Sequence, residues 1–135
     1  MVVHLNINVM SIKSIFCSMF ALLFACSCKG EGRVTFESVD QTQFAVEIAK
    51  PDVQIVDVRT AAEYEQGHIP GAVNIDVNGA DFDSAITTLN KDNTVALYCR
   101  SGRRSKIAAN KVAAAGYKVV ELDGGILSWQ GEVVK

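Results

Sequence analysis

Positive charge is in short supply in this sequence. Its 135 residues contain 13 lysines and arginines against 15 aspartates and glutamates, which gives a formal net charge of −2 at pH 7. Bulk binding of nucleic acid is therefore not expected, because no excess of positive charge is available to neutralise phosphates. Any attraction for an anion must be local, and the one dense basic cluster consists of Arg100, Arg103 and Arg104. The length predicts a single domain with one modest core.

Charge is missing altogether from residues 15–28, which have the sequence IFCSMFALLFACSC and follow the basic residue Lys13. This pattern is typical of a secretory signal, and the run is too short for a comfortable membrane span. The segment LFAC, which ends at Cys26, resembles the bacterial lipobox, in which cleavage leaves a lipid-modified cysteine. We expect a signal peptide at 1–28, a linker at 29–34 and a globular domain at 35–135, exported to the periplasm or anchored to a membrane through Cys26. Met10 is a second candidate start.

Cysteine is nearly absent from the part of the chain that is expected to fold. Cys17, Cys26 and Cys28 all precede the linker, which leaves Cys99 alone in the domain. An internal disulfide is therefore excluded. The pair formed by Cys26 and Cys28 has no histidine nearby and makes a poor zinc site, so we expect neither a metal nor another cofactor.

Short apolar runs alternate with helical patterns along the predicted domain. The apolar runs predict buried strands at 54–58, 72–77, 94–99 and 117–122. Helical patterns occupy 39–50, 81–89 and 105–115, and a short turn capped by Thr60, with Glu63 at capping-box spacing, extends to Gly67. Strands that alternate with helices predict an α/β domain with right-handed crossovers.

The stretch LYCRSGRRSK at 97–106 places Cys99 between a predicted strand and a predicted helix. Ligands bind at this end of the strands in open α/β sheets. The helix start offers unpaired amides and roughly half a positive charge, and Gly102 lets the backbone point those amides at one spot. A thiol in this field ionises more easily than a free one, and the nearby arginines are expected to attract an anionic substrate. The alternative is a strand-end cysteine that packs as a small hydrophobic residue.

Histidine is too scarce for most cysteine hydrolases, which need an imidazole to activate the thiol and protonate the leaving group. His4 lies in or before the signal, and His68 lies in the turn GHIPGA, where a structural role is favoured. A protein-phosphatase loop carries an arginine six residues after its cysteine, and here that position is Ser105. The loop therefore suits one sulfur atom better than a phosphate, which favours covalent sulfur transfer.

Three segments of the chain resemble the single-domain rhodanese family: DVRTAAEYEQGHIPGAVNI at 57–75, YCRSGRRS at 98–105 and DGGILSWQ at 123–130. The resemblance covers residues 35–131. It implies a three-layer α/β fold with a central, mostly parallel sheet of about five strands and helices on both faces. The loop from Cys99 to Arg104 is similar in length to that of sulfurtransferases, whereas the related arsenate- and phosphate-handling branch has a longer loop.

The resemblance also implies roles for individual residues. Cys99 is expected to carry a persulfide, and Asp57 and Arg59 match a D-x-R pair that supports the site. The backbone amides expected to surround the sulfur are those of Arg100, Ser101, Gly102, Arg103 and Arg104. The expected activity is transfer of sulfane sulfur from a small anionic donor, thiosulfate or a persulfide, to cyanide or a thiol. A non-catalytic carrier or a partner-binding, redox-sensing module is the main alternative, and a phosphatase is the less favoured one.

Overall fold

The computed structural model describes residues 35–135, in which five strands alternate with four helices. The strands are β1 (Glu37–Val39), β2 (Val53–Asp57), β3 (Val73–Asn74), β4 (Thr94–Tyr98) and β5 (Val119–Leu122). The helices are α1 (Gln41–Ile48), α2 (Ala61–Gln66), α3 (Phe82–Ala85) and α4 (Arg103–Ala114). Short 3₁₀ turns follow α3 at Ile86–Thr88 and β5 at Gly125–Leu127. The predicted signal peptide, Cys26 and the predicted linker lie outside the described residues.

The five strands form one sheet in the order β1-β5-β4-β2-β3, and every neighbouring pair is parallel. Strand β4 is central and all five of its residues are buried. Parallel strands need crossover connections, which the helices supply. The predicted three-layer α/β fold with a sheet of about five strands is therefore confirmed.

Side chains of β4, together with that of Cys99 directly after it, alternate between two cores, one on each face of the sheet. Val95, Leu97 and Cys99 pack in the core that also contains residues of α3 and α4. Ala96 and Tyr98 pack in the core on the opposite face, with residues of α1 and α2. Each large apolar side chain buried in this way contributes about 1.5–3 kcal/mol. Cys99 therefore follows a strand that is held firmly from both sides.

The N-terminal boundary differs from the sequence prediction. Asp40 accepts a hydrogen bond from the amide of Gln43 at 2.9 Å, so α1 begins after Asp40 rather than at residue 39. Val39 is thereby free to join β1, where it is opposite Leu122 of β5. This strand was not predicted, because three residues carry too little periodicity to be recognised. Of the apolar residues of α1, Phe44 is buried whereas Val46 is 61% exposed.

Two other predicted elements are shorter in the structure. The strand expected at 72–77 is regular only over Val73–Asn74, and beyond it the amides of Ile75 and Val77 still donate to the carbonyls of Asp57 and Val58. The helix expected at 81–89 divides into α3 and a 3₁₀ turn. The capping box of Thr60 and Glu63 is confirmed, and α2 ends before Gly67. No helix within 35–135 has the length and apolar character needed to cross a membrane.

Candidate active site

Cys99 directly follows β4, at the carboxyl end of the parallel sheet. Helix α4 begins at Arg103, two residues earlier than predicted, so Arg103 and Arg104 belong to its first turn. The connection between strand and helix therefore consists of residues 99–102 only. Such a short connection brings the first free amides of α4 close to the cysteine, because helix N-termini leave their first N–H groups unpaired.

The sulfur of Cys99 lies inside this connection and is almost inaccessible. The amide of Gly102 donates a hydrogen bond to Sγ at 3.1 Å, and the residue as a whole is 1% exposed. Gly102 has φ +98°, and a Cβ placed there would lie 3.2 Å from the amide nitrogen of Gly124. Both observations require glycine at this position, because a side chain disfavours that φ and lacks room. We call residues 99–105 the cradle.

Opposing influences act on the pKa of the Cys99 thiol. Burial raises the pKa, because a charged sulfur loses solvation. Hydrogen bonding from the amides of Ser105, Gly102 and Ser101 lowers the pKa, and the net result is a pKa below its ordinary value. The cradle therefore favours an anionic sulfur despite the burial.

The three arginines of the cradle do not act alike. Arg104 forms a bidentate ion pair with Glu63 in α2, with both nitrogen–oxygen distances at 2.7 Å. This pair lowers the pKa of Glu63 from 4.5 to about 2, with smaller contributions from Thr60. Arg104 thus differs from the other two arginines, because its guanidinium is already paired with a carboxylate. Arg100 and Arg103 are exposed.

The turn after β5 closes over the other side of the cradle. The amide of Ile126 donates to the carbonyl of Cys99 at 2.9 Å, and the amide of Leu127 donates to the carbonyl of Arg100 at 3.1 Å. A Cβ on Gly125 would lie 2.5 Å from the backbone of Arg100, so only glycine permits this approach. The paired glycines of DGGILSWQ are the sequence signal for this turn. The contact of the turn with the cradle, however, depends on the fold.

Asp57 and Arg59 lie at the end of β2, next to β4. Asp57 accepts bonds from Arg59 Nε at 3.0 Å and from Nη2 at 2.6 Å, and Nη2 also donates to the carbonyl of Gly67 at 2.7 Å. The Arg59 guanidinium lies 5.8 Å from the ring centroid of Tyr98, which precedes Cys99. The pair therefore ties β2 to the turn at Gly67 and supports the strand that leads to the cradle.

Sequence reasoning missed one charged residue beside the cradle. Glu121 of β5 is fully buried, and its carboxylate accepts bonds at 2.5 Å from the hydroxyls of Ser38 and Ser105. The signal was an acidic residue inside the apolar run at 117–122, which is unusual for a buried strand. No sequence spacing could have indicated its serine partners.

His68 has the structural role that its turn predicted. Its ring stacks on Tyr64 with centroids 3.7 Å apart, and its Nδ1 lies 3.0 Å from the carbonyl of Tyr64. Its backbone pairs with Val134 in an antiparallel bridge. Within residues 35–135, no three or more histidine, cysteine or acidic side chains are grouped closely enough to hold a metal ion.

Comparison with known proteins identifies the family. The sequence model of the Rhodanese-like domain matches residues 40–132, which is most of the chain. This chain belongs to the rhodanese-like domain family. The fold agrees: a rhodanese-related protein from Thermoplasma volcanium superimposes with a TM-score of 0.66 at 26% identity, covering 73% of this chain and 98% of that one.

Several relatives of this rhodanese-like chain have names that refer to sulfur transfer. The putative sulfurtransferase YtwF of Bacillus subtilis is 36% identical over 84 residues, 62% of this chain and 80% of YtwF. The thiosulfate sulfurtransferase PspE of Escherichia coli is 37% identical over 71 residues, 53% of this chain and 68% of PspE. The putative sulfur carrier protein YrkF of Bacillus subtilis is 36% identical over 81 residues, 59% of this chain but 43% of YrkF. Sulfur transfer is therefore the chemistry of the family to which the chain belongs.

Proposed function

We propose that the chain is a sulfurtransferase that holds sulfane sulfur as a persulfide on Cys99. The observation that carries this proposal is the position of the Cys99 sulfur, 3.1 Å from the amide of Gly102 and at the start of α4. Amides that converge at a helix start stabilise an anion through their partial positive charge. The same ring of amides suits the thiolate of Cys99 and the anionic outer sulfur of a persulfide.

The proposed cycle has two displacement steps. First, the Cys99 thiolate attacks the outer sulfur of the donor. A bond forms between Sγ and that sulfur, while the bond to the rest of the donor breaks and its electron pair leaves with the donor, as sulfite when the donor is thiosulfate. Second, cyanide or a thiolate attacks the outer sulfur, and Cys99 leaves as a thiolate. Neither step requires an external oxidant or a histidine base.

Thiosulfate is the donor that we propose to test first. Arg100 and Arg103 are exposed beside the cradle, where their charges can attract a small anion. The 1% exposure of Cys99 favours a donor with a narrow terminal sulfur. The similarity to PspE, whose name refers to thiosulfate, supports the same choice.

The proposal is tested by following sulfur on Cys99 itself. The reduced full chain is freed of reductant, incubated with thiosulfate and digested with trypsin, which releases DNTVALYCR, residues 92–100, with Cys99 as its only cysteine. This peptide should gain the mass of one sulfur atom and lose it to cyanide with formation of thiocyanate. Cys99→Ser should abolish both events, and Cys28→Ser should leave them unchanged. Absence of sulfur from this peptide with thiosulfate and with persulfide donors would overturn the proposal.

A carrier role is the second candidate, and two observations favour it. The chain is similar to the putative sulfur carrier YrkF, and its Cys99 is nearly inaccessible to bulky acceptors. A carrier would load the peptide once but turn over very slowly with every small acceptor. It would also form a stable complex with a protein partner that persists in Cys99→Ser. Rapid thiocyanate formation in the absence of such a partner would show that the chain is a catalytic sulfurtransferase rather than a carrier.

We further propose that the chain is exported and anchored to a membrane through a lipid on Cys26. The support is the uncharged run at 15–28 and the segment LFAC that ends at Cys26. Expression in a bacterium with radiolabelled palmitate should label the wild-type chain but not Cys26→Ser. A labelled Cys26→Ser chain, or an unlabelled wild-type chain recovered from the cytoplasm, would contradict this proposal.

A further inference from the structure

Glu121 is a fully buried carboxyl group beside the candidate active site. Its Oε1 accepts a hydrogen bond from Ser105 Oγ and its Oε2 accepts one from Ser38 Oγ, both at 2.5 Å. Lys106 Nζ lies 4.0 Å from Oε2. A buried carboxyl group is costly unless its oxygens are hydrogen-bonded, and each oxygen of Glu121 accepts a bond from a serine hydroxyl. Glu121 is thus held in one defined orientation.

The carboxyl group lies directly behind the cradle. A Cβ placed on Gly102, whose amide donates to Cys99, would lie 3.7 Å from Glu121 Oε1. Ser105 is in the first turn of α4; its amide acts on the Cys99 sulfur, and its hydroxyl is also within hydrogen-bonding reach of that sulfur. Glu121 therefore contacts the same hydroxyl that is available to the sulfur.

Two groups compete for the Ser105 hydroxyl, which has a single proton. A carboxylate only accepts hydrogen bonds, so Ser105 must donate its proton to Glu121. Toward Cys99 the hydroxyl oxygen then offers lone pairs, which suit a neutral thiol and oppose a thiolate. The 2.5 Å distance from Ser105 Oγ to Glu121 Oε1 shows that the hydroxyl is engaged by the carboxyl group.

We propose that Glu121 is a positioning residue of the Cys99 site: it holds the Ser105 hydroxyl away from the sulfur and places a negative charge behind the cradle. The inference rests on the proposed role of Cys99 as the sulfur acceptor. The negative charge of Glu121 disfavours a thiolate at Cys99. It thereby opposes the amides of the cradle and the cations that face the thiol, Arg104 and Lys106. Both cations are largely neutralised, Arg104 by Glu63 and Lys106 by Asp123 at 2.6 Å.

The consequence is a balance between ionisation and nucleophilicity. A thiol that ionises too easily gives a weak nucleophile, and the best attacking thiol has a pKa near the ambient pH. Glu121 shifts the pKa of the Cys99 thiol in the direction opposite to the shift caused by the amides, and so keeps the thiolate reactive. A role limited to stabilising the fold would leave this balance unchanged.

Glu121→Gln tests the inference because glutamine keeps the shape of the side chain and removes its charge. Rates of alkylation by iodoacetamide are measured on the full chain against pH, with Cys99 followed in the tryptic peptide 92–100. The titration of Cys99 should move to lower pH by about one unit. Alkylation should then be about threefold faster below the pKa and about threefold slower above it, so the two pH profiles cross. This measurement does not depend on sulfur transfer, so failure of the proposed function would leave it intact.

Ser105→Ala separates the hydroxyl from the charge. In the wild-type background this change should not raise the apparent pKa of Cys99, because the serine hydroxyl donates its proton to Glu121. In a Glu121→Met background, where no acceptor replaces the carboxyl group, it should raise the apparent pKa of Cys99, since the freed hydroxyl then donates to the sulfur. An equal rise in both backgrounds would overturn the inference, and so would a Glu121→Gln profile that is slower at every pH. If Glu121→Gln does not fold, the single Ser105→Ala variant decides: a rise of about one pH unit overturns the inference and no rise supports it.

Discussion

Asp57→Asn should destabilise the domain strongly, because it removes the negative member of a buried ion pair. Asp57 has no exposed side-chain surface, and the Arg59 side chain is 7% exposed. The Asp57 carboxylate accepts the Arg59 amide at 2.9 Å, Nε at 3.0 Å and Nη2 at 2.6 Å. The amide of asparagine can keep some of these bonds but leaves the guanidinium charge uncompensated. Removing one member of a buried pair costs about 3–5 kcal/mol.

This loss is measurable by urea denaturation of the full chain. Small domains lose about 1 kcal/mol of unfolding free energy per M urea or somewhat more, so the midpoint should fall by roughly 2–4 M. Asp83→Asn is the matched control, because Asp83 pairs with Lys111 at 3.2 Å but its side chain is 79% exposed. Exposed pairs contribute about 0–1 kcal/mol, and this variant should stay within about 1 M of the wild type. Equal midpoints for the two variants would refute the argument that burial determines the cost.

Two further predictions concern charges around the cradle. Replacing both exposed arginines, Arg100→Ala with Arg103→Ala, should raise KM for thiosulfate about tenfold with little change in kcat, because two surface attractions for the anion are lost. KM for an uncharged sulfane-sulfur donor, such as a dialkyl trisulfide, should stay constant, and a parallel rise would contradict the electrostatic role. Glu63→Gln should alter the acid sensitivity of the domain. The folded-state pKa of Glu63 is lowered from 4.5 to about 2, so the Glu63–Arg104 pair stabilises the fold above pH 4.5 and loses this effect as pH falls toward 2. Thermal midpoints of the two proteins should therefore differ near neutral pH and converge at the acid end, and a constant difference would contradict the pairing.

The position of Cys99 could be predicted from sequence because its signals are local. A buried apolar run predicts the strand, and glycine followed by an alanine-rich helical pattern predicts the turn and helix behind it. The capping box at Thr60 is local in the same sense. Where neighbouring residues compete, sequence reasoning was less accurate: Asp40 shortened α1 and released Val39 into β1.

The electrostatics of the cradle could not be predicted, because they depend on residues far apart in sequence. Arg104 pairs with Glu63 across 41 positions, and Ser105 meets Glu121 across 16. Both contacts require the parallel strand order and the placement of α2 and β5 around α4. In the sequence alone, the three arginines of the basic cluster cannot be distinguished from one another. Glu121 is there only an acidic residue within an apolar run.

The sequence by itself therefore determined the strand-loop-helix that carries the thiol and the class of chemistry that it suits. Local hydrophobic periodicity and backbone preferences are properties of adjacent residues, so they can be recognised without the fold. Only the tertiary structure decided which arginines stay available to an anion, how deeply Cys99 is buried and which carboxylate lies behind it. Those properties arise from side chains that meet across the sheet, where distance and desolvation set the strength of each charge.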